Sequence, residues 1–149
     1  MTTEPKVSVS LTTYNQRRTI AQAIDSVLVQ ETSFPVEILV GEDESSDGTR
    51  DIVLDYARRY PHIHVLLNRR EDVITIDGRP TGRWNFANNL RHVRGQYVAL
   101  LEGDDYWTSP HKLQKQADFL DAFPDCALCF HAVESLHEPA ARPAAEPAG

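Results

Sequence analysis

The 149-residue chain has no run of apolar residues near the roughly 18 that a membrane span needs. Its first ten residues, MTTEPKVSVS, lack the charged-then-apolar plan of a secretory leader. Together these two absences give the expectation of a cytoplasmic protein. Basic patches interleaved with aromatics are also missing, and 15 basic against 22 acidic residues leave a net charge of -7. A surface of that sign repels phosphate backbones, so nucleic acid is not an expected partner. No strand is followed by G-x-G-x-x-G or by G-x-x-x-x-G-K-[ST], which removes the backbone phosphate cradles of dinucleotide and P-loop sites. Cysteine is scarce. Cys126 and Cys129 form one C-x-x-C pair with no second pair or ligand set beside it, so neither zinc nor redox chemistry is expected. The run CALCF around them reads as a strand that buries two reduced thiols. The six histidines, His62, His64, His92, His111, His131 and His137, form no metal-spaced set.

What is present alternates between two periods. KVSVSLTTY, VEILVG, HIHVLLN, QYVALL and CALCF read as strands. Between them lie helical faces at i, i+3, i+4 spacing: Ile20, Ala23, Ile24, Val27 and Leu28; then Ile52, Val53, Tyr56, Ala57 and Tyr60; then Phe86, Ala87, Leu90 and Val93; then Leu113, Ala117 and Leu120. Asn15 is a candidate N-cap for the first helix, Pro61 stops the second, Gly95 closes the third, and Ser109-Pro110 opens the fourth. Residues 70–82 read as an excursion loop with a turn at Asp77-Gly78. This alternation predicts an α/β fold, Rossmann-like, with a mostly parallel sheet and helices on both faces. From His137 the composition turns to HEPAARPAAEPAG, which reads as a disordered Pro/Ala tail over 137–149.

Ligands of such sheets sit beyond the carboxyl ends of the strands. Three polar stretches fall there: TTYN, EDESSDGT and EGDDYW. In the last, Glu102, Asp104 and Asp105 crowd into four residues. A solvated turn tolerates such a cluster, and so does a site for Mg²⁺ or Mn²⁺, which take one or two carboxylates and complete their shell with phosphate and water. Asp47 or a nearby serine can cap the second helix, but capping does not account for Glu42 and Asp43 at the strand end. A carboxylate at that place can accept the N–H of a nucleobase.

VSVSLTTYN, GEDESSDGT and LLEGDDYW followed by KLQKQADFL resemble the nucleotide-binding half of the family 2, GT-A fold glycosyltransferases, over about Lys6 to His131. The resemblance implies a nucleotide-sugar-binding domain over 1–136 and a nucleotide-sugar donor, commonly UDP-linked. It also implies inverting transfer to an unknown acceptor, helped by Mn²⁺ or Mg²⁺. Tyr14 matches the aromatic that packs on the base, with Thr12 beside it. Asp43 matches the acid that accepts the base N–H. Asp104 and Asp105 match the acidic motif that holds the ribose and the metal, Asp105 being the preferred ligand. Arg83 stands where the family often places a basic or polar residue near the nucleotide, and a solvated arginine opening a helix explains it equally. Glu102 replaces the commoner aspartate at the first place of the motif, and its extra methylene counts against direct ligand contact.

The family usually draws its general base and acceptor pocket from a stretch beyond the equivalent of His131. Glu134 and Glu138 are the acids close behind it here, and neither has the setting of a base. The implied alternative is a catalytically incomplete nucleotide-sugar-binding module, completed by a second copy or a partner subunit. A sugar-phosphate nucleotidyltransferase is disfavoured, because TTYNQRRT after the first strand holds no glycine.

Overall fold

The computed structural model describes residues 4–136; the expected tail over 137–149, with Glu138, lies outside them. Four parallel strands form the sheet: β1 (Val7–Thr13), β2 (Val36–Glu42), β3 (Ile63–Leu67) and, later in the chain, β6 (Tyr97–Glu102). Their order is β3-β2-β1-β6. Helices α1 (Ile20–Leu28), α2 (Thr49–Arg59) and α3 (Arg83–His92) connect the strands, and α4 (Lys112–Ala122) follows β6. The excursion at 70–82 is more ordered than a plain loop. It holds a 3-10 turn over Arg70–Asp72 and a hairpin of β4 (Thr75–Ile76) and β5 (Arg79–Pro80). Asp77 and Gly78 turn that hairpin with φ of 50° and 75°, the left-handed pair that suits the twist of two-residue turns. Among the described residues no helix is long and apolar enough to cross a membrane.

Side-chain alternation gives the sheet two unlike faces. Val7, Val9 and Leu11 of β1, with Ile38 and Val40 of β2, join Ile20, Ala23, Ile24 and Val27 of α1, Val53 and Tyr56 of α2, and Leu113 and Ala117 of α4 in one apolar core. The other face is polar. Ser8, Ser10 and Thr12 stand in register with Glu37, Leu39 and Gly41, and α3 lies over them.

The structure corrects the expected face of α3. Phe86 and Leu90 are 42% and 38% exposed, whereas Asn85 and Asn89 are 3% and 0% exposed. The sheet beneath presents hydroxyls and main-chain carbonyls, and an amide can satisfy these where an alkyl group cannot. Asn85 Nδ2 donates to Gly41 O at 2.8 Å. Asn89 Nδ2 lies 3.1 Å from both Ser10 Oγ and Leu11 O. Gly41 is bare for the same reason: a Cβ there would collide with Oδ1 of both asparagines.

Three further expectations change. CALCF forms no strand: residues 126–136 pair with no ladder, Cys126 is exposed and Cys129 half-buried, both as free thiols. A strand needs a neighbour for its main chain, and among the described residues none stands beside this segment. Asn15 does not cap α1, which begins at Ile20. Instead Asn15 adopts φ 51° and accepts from Ser46 N at 2.9 Å. Helix α4 starts at Lys112, two residues beyond Pro110, with His111 N donating to Ser109 Oγ at 3.3 Å.

At the end of the sheet away from the polar rim, buried Glu37 accepts from Ser8 Oγ at 2.6 Å, Arg94 N at 3.0 Å and Arg94 Nε at 2.8 Å. Burial alone raises this carboxyl, but the bonds from Ser8 and Arg94 outweigh it and hold the group below its ordinary 4.5.

Two outcomes follow from these contacts. Gly41→Ala should lower unfolding stability by about 1–3 kcal/mol through overpacking, measured by chemical denaturation. Glu37 has a folded-state pKa below its unfolded one. It therefore stabilises the fold above the unfolded value and loses that contribution as pH falls through the folded one. Glu37→Gln should be less stable at neutral pH and show a flatter decline as pH falls through and below the ordinary 4.5 of a glutamate.

Candidate functional site at the strand ends

Thr12 lies in register between Gly41 on one side and Glu102 on the other, so three strands finish at one level. Beyond that level the loops are stitched together. Asp43 N donates to Thr13 O at 3.1 Å, and Gly103 N donates to Thr12 O at 2.9 Å. Gln16 N reaches Thr49 Oγ1 at 2.9 Å, and Arg17 N reaches Asp47 Oδ2 at 3.0 Å. Asp47 also accepts from Thr49 N at 3.0 Å, which anchors the first turn of α2. A Cβ at Gly103 would strike Gln16 Oε1 and Thr13 Oγ1, so its absence lets the acidic turn close against the loop after β1.

The carboxylates on this rim have different employment. Glu42 is fully buried and committed to the fold: Oε1 accepts from Ser45 N at 2.7 Å, and Oε2 pairs with Arg50 Nε. Asp43 is buried but only half engaged. Its Oδ2 accepts from Arg70 Nη1 at 2.7 Å, while its Oδ1 is buried with no partner among the described residues. Burial raises the Asp43 carboxyl above its ordinary 3.8, Arg70 pulls it back, and the charges of Glu42 and Glu44 add to the rise. Arg70 also lies over the ring of Tyr14, with its guanidinium carbon 4.1 Å from the centroid, a cation–π contact. Its main-chain N–H is held by Glu44 Oε2 at 2.6 Å. Tyr14, Asp43 and Arg70 therefore form one group from three loops, a half-exposed aromatic beside a buried acceptor.

Asp104 and Asp105 are exposed on the turn after β6, closed by Asp105 N donating to Glu102 O at 3.0 Å. No group of three or more His, Cys, Asp or Glu side chains gathers as a ready-made metal cage among the described residues. Two adjacent exposed carboxylates are nevertheless the hard-oxygen donor set of a divalent ion that keeps water and phosphate in its shell. The residues present fit such an ion. Trp107 is buried behind this turn, and the Lys112 ammonium lies 4.1 Å from its ring centroid. Burial brings that ammonium down to about 8.

Of the residues singled out in the sequence, Thr12, Tyr14 and Asp43 come together with the turn carrying Asp104 and Asp105. Arg83 is exposed as the first residue of α3, two residues before the Asn85 that bonds Gly41 O, and its side chain makes no hydrogen bond or ion pair among the described residues. Sequence reasoning missed Arg70. The available signal was the pair Arg69-Arg70 directly beyond the third strand, on the same rim as Asp43.

Comparison with known proteins bears on this geometry. The profile of the family described as glycosyl transferase family 2 matches residues 8–146. The protein Rv1520 of Mycobacterium tuberculosis is 39% identical over 136 residues, covering 91% of this chain and 37% of its own length. Among solved structures, S. aureus TarS 1–349 in complex with UDP superposes with a TM-score of 0.62 at 25% identity, over 78% of this chain and 32% of that one. The mannosyltransferase PcManGT from Pyrobaculum calidifontis, in complex with GDP-Man and Mn²⁺, gives a TM-score of 0.62 at 25% identity, over 80% and 33%. The chain thus spans about a third of the length of these proteins.

Removing the Arg70 charge strands the Asp43 carboxylate. Arg70→Met should raise the Asp43 pKa further, read by NMR titration. It should also cost about 1–3 kcal/mol of stability at neutral pH, the cost of an unpaired buried polar group.

Proposed function

Because the chain belongs to glycosyl transferase family 2, we propose that its strand-end site binds the nucleotide diphosphate of a sugar donor, UDP-linked by preference, for inverting transfer to an acceptor hydroxyl. One observation carries the reading: the buried, unpartnered Oδ1 of Asp43, whose other oxygen is held by the arginine that lies on the ring of Tyr14. A planar base that stacks on Tyr14 brings an N–H to that oxygen and relieves the cost of burying it alone. Arg70, already on the ring, donates to a neighbouring acceptor on the base. Thr12 borders the same floor, and Asp104 faces the ribose hydroxyls as an acceptor. Arg83 approaches the donor from the start of α3.

Asp105, with Asp104 as second ligand, would hold Mn²⁺ or Mg²⁺ against the diphosphate. When bound, the ion supplies Lewis-acid stabilisation of the charge that develops on the leaving nucleoside diphosphate. The main chain of the Asp104–Asp105 turn is fixed because Gly103 N is pinned to Thr12 O and Asp105 N to Glu102 O. Transfer also needs a base to take the proton of the acceptor hydroxyl, and in this proposal it comes from outside the residues assigned here. Complexes of TarS with UDP and of PcManGT with GDP-Man and Mn²⁺ support this chemistry by analogy.

Calorimetric titration of UDP and of GDP into the folded chain tests the reading. Binding in Mn²⁺ that EDTA abolishes and Asp105→Ala weakens by about tenfold or more is the expected result. UDP at about 100 times its Kd should stabilise the fold by roughly 2.7 kcal/mol. Because the base N–H needs an ionised Asp43, affinity should fall as pH drops through a midpoint above the ordinary 3.8 of an aspartate. Absence of binding to either nucleotide in a folded chain would overturn the proposal.

A further inference from the structure

Asp43 and Arg70 lie just beyond two different strands, β2 and β3, and the ladder that spaces those strands ends before either is reached. Pairing of β2 with β3 runs from Ile38↔Ile63 to Glu42↔Leu67, and Asn68 N to Glu42 O at 2.9 Å is its last bond. Beyond it the chain leaves β2 at Asp43, and the chain after β3 passes through Asn68 and Arg69 to the 3-10 turn that opens at Arg70. Main-chain bonding between the two strands no longer sets their separation there.

Beside the bond from Arg70 N to Glu44 Oε2 at 2.6 Å, side chains of α3 tie the two segments together. Asn85 Nδ2 donates to Gly41 O at 2.8 Å, and Asn85 Oδ1 accepts from Asn68 Nδ2 at 2.9 Å. One buried amide therefore spans from the end of β2 to the end of β3. Asn88 Nδ2 donates to Asn68 Oδ1 at 2.8 Å, so both ends of the Asn68 amide are gripped by the same helix. Asn68 stands two residues before Arg70, and Gly41 two residues before Asp43. Asparagine is a poor helix former, so three of them at 85, 88 and 89 are placed against local preference.

We propose that Asn85, with Asn68 and Asn88, is a positioning group that fixes the Asp43–Arg70 pair for the base of the nucleotide. Resting on the donor-site reading above, it adds that recognition of the base is set from α3, a helix that need not touch the base. Loosening the grip should weaken the base contribution to binding and spare the diphosphate contribution, since the Asp104–Asp105 turn hangs on β1 and β6.

The test uses the full chain with Asn88→Ala, whose half-buried side chain bonds only Asn68, and with Asn85→Ala as the stronger variant. Two readouts are taken. The first, without nucleotide, is the NMR signal of the Arg70 guanidinium Nε–H, sharp when Arg70 is held. The second is the ratio of affinities for UDP and for inorganic pyrophosphate, both in Mn²⁺. The expected result for Asn88→Ala is a broadened or fast-exchanging Nε–H signal and a UDP affinity reduced about three- to tenfold, the worth of one hydrogen bond. Pyrophosphate affinity should be unchanged and the chain should stay folded at the assay temperature, with a thermal midpoint lowered by the loss of the Asn68 Oδ1 partner. Parent-like signals and an unchanged ratio in Asn88→Ala and in folded Asn85→Ala would overturn the assignment. If the parent chain binds no UDP, the donor-site reading fails, and the Nε–H signal still decides whether α3 holds the Asp43–Arg70 pair.

Discussion

An amide pressed against a bare stretch of strand governs this molecule. Asn85 and Asn89 reach the carbonyls of Gly41 and Leu11 because Gly41 has no Cβ to keep them away. That contact decides which side of α3 faces the sheet, and so turns Phe86 and Leu90 outward. It makes one face of the sheet polar, which in turn leaves the other to carry nearly all the apolar packing. The direction α3 takes also fixes where β6 begins and where the acidic turn after it emerges. Polar burial of this kind gives less stability than an apolar seam would, but it tolerates one geometry, because each amide has directions to satisfy.

Electrostatics on the rim follows the same economy of partners. Four acids approach the ends of the strands, and the protein neutralises them unequally. Arg50 takes Glu42 entirely, Arg70 takes one oxygen of Asp43, and Asp104 and Asp105 are left to solvent. The gradient runs from structural carboxylate to available carboxylate across three adjacent strand ends. A ligand that combines a hydrogen-bond donor with phosphates and a cation meets each at the place where it is free.

Most of the architecture could be read from the chain because hydrophobic period and strand–helix alternation are local signals. The four parallel strands, α1, α2 and α4 follow them. What escaped depends on partners far away in sequence. Phe86 and Leu90 carry a sound helical period, yet the period says only that one face differs, not that a polar sheet waits beneath. CALCF has the composition of a strand, but composition cannot supply a neighbour to pair with. The rim loops were recognisable by position and by family resemblance, which drew attention to Tyr14 and Asp43. Arg70 was not, because its cation–π contact and ion pair arise where two loops meet, and neither loop alone contains the pattern. Position at the strand end alone did not separate Glu42 from Asp43, which only the resemblance singled out; the fold shows that Arg50, eight residues later, has already claimed Glu42.

The free side of β6 has a colloidal consequence. Val98 and Leu100 stand in register with Ser8 and Ser10, on the part of the sheet's polar face that lies beyond the reach of α3, and both are exposed among the described residues. A strand edge with apolar side chains is a template for another chain, and here a net charge of -7 opposes that approach. The opposing force is long-ranged only in dilute buffer, because the screening length is about 30 Å at 0.01 M salt and about 8 Å at physiological ionic strength. Salt thus acts on this molecule as a spacer withdrawn: the more of it, the nearer two sheets can drift before their charges object.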